Sequence, residues 1–196
     1  MQEIITYLPL LVIAGASLIL FLNVNWRWNV IALSLQYVGV FWMVLSLWPV
    51  GLAAVKLVSG WMAGAIIGST ISDGENEKNN SDSSPKEEIR FRIVLWLVIL
   101  LVIFALIPGI SLWIPISNQL LIGSFLLIII GLLQLSMTIQ SYRIIFGLLT
   151  VLSGFEIVYA GLEDSVLVAG FLSIITLGIA FIGVFVSHKK NEENSV

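Results

Sequence analysis

The sequence predicts an all-α integral membrane protein with seven transmembrane helices. Three observations lead there. The 196 residues are 59% hydrophobic and only 11% charged, with a mean hydropathy of +1.05; a soluble domain of this size needs more charge to cover its surface. Apolar runs of roughly 20 residues, the length that crosses a hydrocarbon core, recur along almost the whole chain. With seven crossings, eight of the nine basic residues fall on one side: Arg27, Lys78, Lys86, Arg90, Arg92, Arg143, Lys189 and Lys190. By the positive-inside rule that side is cytoplasmic. The N-terminus is then outside and the C-terminus inside, in a cell (inner) membrane.

The first span is expected at 4–22. Its start, MQEIITYLPLLVIAGASLILFL, carries no basic n-region and no small-residue cleavage site, so it reads as an uncleaved helix. The second and third spans are expected at 28–48 and 50–71, completing a three-helix unit over 1–71. Residues 72–90, SDGENEKNNSDSSPKEEIR, hold six acids against three bases and read as a disordered cytoplasmic loop. Acids weigh little in setting orientation, so this loop leaves the topology unchanged. The fourth span, 91–115, carries Pro108-Gly109 and ends at Pro115. It either kinks there or stops near residue 107 and leaves a short interfacial stretch. Spans at 118–138, 142–162 and 165–187 form a second three-helix unit within 116–187. Residues 188–196 form a cytoplasmic tail.

The two units admit an alignment without gaps at a shift of 116 residues. It places Gly15 on Gly131, Trp26-Arg27 on Tyr142-Arg143 and Ala53 on Ala169. Such a repeat is parallel, since corresponding helices lie four spans apart. Chance similarity between two apolar stretches explains it as well.

Lys56 and Glu156 are the two ionisable residues well inside spans. Each costs about 2.5–3.5 kcal/mol near a helix centre. Each also lies six residues from the outer face, about 9 Å deep at 1.5 Å per residue. Equal depth allows a buried ion pair or a place on an ion path. The alternatives are snorkelling of Lys56 to the outer headgroups and a contact to another subunit. Gln36, Tyr37 and Gln134 are further polar groups at membrane depth, with interhelical hydrogen bonding as their ordinary use. Gly60, Gly64 and Gly68 share one face of the third span and mark a close helix–helix contact. Trp26, Trp28, Trp48 and Trp113 sit at span ends and read as an aromatic belt.

No cysteine is present, which excludes disulfides and iron–sulfur clusters, and His188 is the only histidine. No nucleophile–base set, metal cluster or nucleotide motif appears. Neither catalysis by this chain alone, nor a cofactor, nor a metal, nor nucleic-acid binding is expected.

The last third, SYRIIFGLLTVLSGFEIVYAGLEDSVLVAGFLSIITLGIAFIGVFVSHKK, resembles the C-terminal region of small membrane subunits related to complex I. These are the E subunit of hydrogenase-4, the K subunit of bacterial NADH:quinone oxidoreductase and the C subunit of Mrp antiporters. The shared pattern is a three-helix unit with a basic short loop, a glycine-bearing helix and an apolar last helix. The resemblance implies a membrane-arm subunit beside antiporter-like partners, contributing carboxylates to a proton path. The hydrogenase-type pattern puts a glutamate two residues before the glycine matched to Gly154. Here Leu152 stands there and the acid is Glu156, one turn later. The K-type subunit has a further acid in its last helix, where this chain offers Thr176 and serines. A supporting or scaffold role follows from those departures. A self-contained small transporter or channel, or a purely structural assembly protein, is the alternative.

Overall fold

The computed structural model describes residues 2–23, 25–74, 86–138, 140–163 and 165–193. They form seven helices and no strand: α1 (Gln2–Leu22), α2 (Trp26–Leu45), α3 (Val50–Gly74), α4 (Lys86–Ile110), α5 (Asn118–Ser136), α6 (Ser141–Leu162) and α7 (Val166–Glu193). All-helical backbone is what a hydrocarbon environment demands, because each N–H and C=O must find its partner within the chain. Six of the helices, α2 to α7, are long and apolar enough to cross a membrane. In α1 the apolar stretch with described side chains is Tyr7–Leu22. The chain is a multi-pass helical membrane protein on these grounds.

Several helix ends differ from the sequence expectation. α2 stops at Leu45, and the chain turns through 46–49 before α3. Pro49 cannot extend the preceding helix, but its carbonyl accepts from the N–H groups of Leu52 and Ala53 and so starts α3. α3 runs to Gly74 and α4 starts at Lys86, so both ends of the expected disordered loop are helical. Residues 75–85, including Ser81, lie outside the described residues. α4 ends at Ile110 and not at 115. Pro108 sits in its last turn and has no N–H to continue the i→i−4 ladder, so the helix ends two residues later, and Pro115 disfavours helix at the residue before it. α5 stops at Ser136, and α7 continues past residue 187 to Glu193 through the helix-favouring Lys and Glu of the polar end.

Helices adjacent in sequence pack together within each three-helix unit. Helices four apart also pack, α1 on α5, α2 on α6 and α3 on α7. α4 lies at the edge, against α5 and α1. It buries the stripe Ile99, Ile103 and Ile107, while Val94, Leu97, Val98, Leu101 and Phe104 face outward. That outward face is suited to lipid acyl chains.

The most extensive contact joins α5 to α6. A methyl group at Gly131 would stand 2.7 Å from Val151 Cγ2 and 2.9 Å from the Gly147 carbonyl. One at Gly154 would stand 2.7 Å from the Ser124 carbonyl. The two backbones therefore touch, as small residues permit in membranes where dispersion does the packing. The glycine face of α3 lies on α2 more loosely. At Gly60 a methyl group would strike the Tyr37 ring, but at Gly64 and Gly68 it would meet Ser34 at 3.6 Å and Val30 at 3.7 Å, ordinary contacts. Trp48 is not a belt residue. It is buried in the larger core cluster and meets Tyr159 edge to face, ring centroids 6.4 Å apart. Trp28 and Trp113 are exposed.

Alanine at Gly131 or Gly154 is expected to destabilise the protein by about 1–3 kcal/mol through overpacking. Alanine at Gly64 should stay within about 0.5 kcal/mol. Thermal unfolding of the purified variants in detergent reads the difference, and equal losses at all three positions would refute the α5–α6 seam.

Candidate functional site

The site is built on α6. Arg143, Thr150, Ser153 and Glu156 are all buried. Their spacing of seven, three and three residues puts them on one helix face. α6 is therefore polar on its inward side over much of its length, in a bundle that is otherwise packed with aliphatic residues. Ser153 and Thr150 satisfy part of their own demand by donating to the carbonyls of Thr150 and Phe146, each at 2.8 Å. This local back-bonding lets hydroxyls sit mid-helix without a distant partner.

Lys56 comes from α3 and meets this face. Its Nζ donates to Glu156 Oε1 at 2.8 Å, and both side chains are 1% exposed. The contact is the one that equal depth allows, and Lys56 does not snorkel out of the bundle. From α7, Thr176 Oγ1 approaches the same oxygen at 3.5 Å while donating to the Leu172 carbonyl at 3.0 Å. The Tyr37 hydroxyl of α2 faces the same cluster, coupled electrostatically to Glu156 and beside Thr176. It makes no hydrogen bond of ordinary geometry, and neither does Glu156 Oε2. Gly60, one turn beyond Lys56, lies under the Tyr37 ring. Any side chain there would push the hydroxyl away from the carboxylate.

Gln36, also on α2, donates its Nε2 to Ser153 Oγ at 2.8 Å, one turn from Glu156. Four of the polar residues singled out in the sequence, Gln36, Tyr37, Lys56 and Glu156, thus converge. Gln134 does not join them. It is buried two residues from the end of α5, with neither amide atom hydrogen-bonded. Gly64 and Gly68 lie on the α2 contact beyond the cluster.

Sequence reasoning passed over Thr176 as a partner of the carboxylate, and over Ser153 and Thr150. Their signal was their spacing from Glu156 on α6, a helical stripe of hydroxyls within an apolar segment. It also passed over Asn29, which is fully buried with both amide atoms unpaired. No group of three or more metal-binding side chains occurs among the described residues.

Chemically, the cluster holds one ammonium, one carboxylate with a free oxygen, and two hydroxyls inside a low-dielectric bundle. Such a pair is costly to break because the surviving charge is stranded, by about 3–5 kcal/mol. Lys56→Met alone should therefore destabilise more than Lys56→Met combined with Glu156→Gln. A double-mutant cycle on thermal stability should return a coupling of about 0.5–3 kcal/mol. Strictly additive effects would show that the two side chains do not depend on one another.

Comparison with protein-family models, with curated proteins and with solved structures gives no match, so the functional reading rests on this cluster.

Proposed function

We propose that the chain is a membrane subunit of a proton- or cation-translocating assembly, related to the membrane arms of complex I, Mrp antiporters and hydrogenase-4. Within it the chain supports an ion path and stands beside antiporter-like subunits. The observation that carries this reading is the buried Lys56–Glu156 pair. Ionisable groups inside membrane helices are expensive, and the characteristic use that offsets the cost is an ion or proton path. An ammonium and a carboxylate in contact can also exchange one proton, passing between a charged and a neutral pair without moving any helix.

The surroundings of the pair favour the same reading. Hydroxyls of Thr176 and Tyr37 flank the carboxylate, and Ser153 and Gln36 extend the polar line along α6. From Thr150 to Glu156 the line covers about 9 Å of helix axis at 1.5 Å per residue. The chain brings no second acid to Glu156 among the described residues, which suits a supporting role over that of a complete pump.

In this proposal the protein crosses a cell (inner) membrane seven times, with α1 as the first crossing, the N-terminus outside and the C-terminus in the cytoplasm. The bias of eight basic residues toward one side supports that orientation.

Two measurements check the reading. The chain has no cysteine, so Ser81→Cys introduces a unique label site in the loop. It should react with a membrane-impermeant maleimide only after the cytoplasmic face is opened, and labelling from outside would reverse the topology. Glu156→Gln, in membranes with unchanged levels of the assembly, should lower ion translocation while leaving a partial rate. Full activity in that variant would remove Glu156 from the path.

A further inference from the structure

The end of the bundle where α6 begins holds a second charged cluster that the ion path does not use. Arg92 of α4 and Arg143 of α6 are both buried there, 5% and 6% exposed. Arg92 is engaged: it donates through Nη1 to the Phe21 carbonyl at the end of α1 at 2.9 Å, and through Nη2 to Glu88 at 2.5 Å. The side chain of Arg143 makes no hydrogen bond and no ion pair among the described residues. Its Nε is sealed from the surface and unpaired. Its charged neighbours are Arg92, which repels it, and Glu88, which attracts it.

The charges do not balance. Among the described residues two guanidiniums face one carboxylate, and Glu88 is itself 41% exposed and already bonded to Arg92. Arg143 is also the third residue of α6, whose N-cap Gln140 provides no side-chain hydrogen bond. The free N–H groups of a helix N-terminus add partial positive charge where a cation is least favoured. A buried, unpaired guanidinium next to another, at a helix N-terminus, is a half-built anion site.

We propose that Arg143 and Arg92 bind the phosphate of an anionic phospholipid headgroup. A membrane lipid suits the place better than a free ion for two reasons. The cluster lies at the end of a membrane-crossing helix, the level at which headgroups sit. Beside it, starting at the next residue, an apolar groove of about 240 Å³ runs between α6 and α7, lined by Ile144, Leu148, Ile179, Ile182 and Val186. Basic pockets between membrane helices that take a headgroup, with acyl chains along an adjoining groove, follow the same chemistry.

The test uses the full chain. Wild type, R143Q, R143K and R27Q are reconstituted in nanodiscs of phosphatidylcholine with or without phosphatidylglycerol, and bound lipid is read by native mass spectrometry. Arg27 is an exposed base at the same end, stacked on Trp26, and serves as the control. Wild type and R27Q should retain phosphatidylglycerol over phosphatidylcholine. R143Q should retain it about fivefold less, the ratio that ~1 kcal/mol per basic residue gives, and R143K should keep the preference in part. Absence of any preference in wild type would overturn the proposal, and that arm stands even if R143Q fails to fold. So would an equal loss in R27Q, which signals diffuse attraction. A thermal stabilisation of wild type in detergent by inorganic phosphate, matched to that by phosphatidylglycerol, would assign the site to a soluble anion and overturn the headgroup.

Discussion

A hydrocarbon surround accepts no hydrogen bonds and solvates no charge, and that constraint organises this protein. Backbone demand is met by winding almost every described residue into helix. Side-chain demand is met by turning polar groups inward and toward one another. Lys56 and Glu156 are the extreme case, because each is stable at its depth only while the other is present. Three helices meet at that contact, α3 and α6 through the charges and α7 through Thr176. The pair therefore ties α3 of one three-helix unit to α6 of the other.

The glycine seam between α5 and α6 makes that placement exact enough to matter. With Gly131, Gly147 and Gly154 removing side chains from the interface, α6 is held rigidly on α5. Its other side is then free to present Ser153 and Glu156 to α2, α3 and α7. Dispersion holds one side of α6 and polar contacts hold the other. Gly60 performs a similar service on α3, where the missing side chain admits the Tyr37 ring beside the carboxylate.

Much of this was legible in the sequence, because membrane insertion depends on composition averaged over a whole span of about 20 residues. The helices follow from their apolar runs. The depth of Lys56 and Glu156 follows from counting residues to the nearest loop. What the sequence hid were properties of facing surfaces. Trp48 lies at a span end, yet it turns inward because the chain reverses at Pro49 and carries the indole under Tyr159. The Gly60/Gly64/Gly68 face is conspicuous in the sequence, but only Gly60 is tightly covered. The seven-residue spacing of Gly147 and Gly154 was a quieter signal for the closest crossing. Arg143 read as one span-end charge among several, since nothing in a linear sequence distinguishes a buried guanidinium from a solvated one. The helical turns at both ends of the acidic loop were masked by their polar composition, which carries no apolar period to read.

The sequence distance across the ion pair sets a problem in time. Lys56 and Glu156 are separated by 100 residues. At a synthesis rate of about 5–20 residues per second, α3 is made roughly 5–20 s before the carboxylate that neutralises it. During that interval the nascent α3 is an apolar helix with an ammonium that lacks its carboxylate partner, and its lysine has to reach water or the nearer headgroups. The mature bundle erases this stage, but the cell must pass through it with every copy. Assembly is then ordered from within the chain: the first three helices are provisional until α6 arrives and locks them.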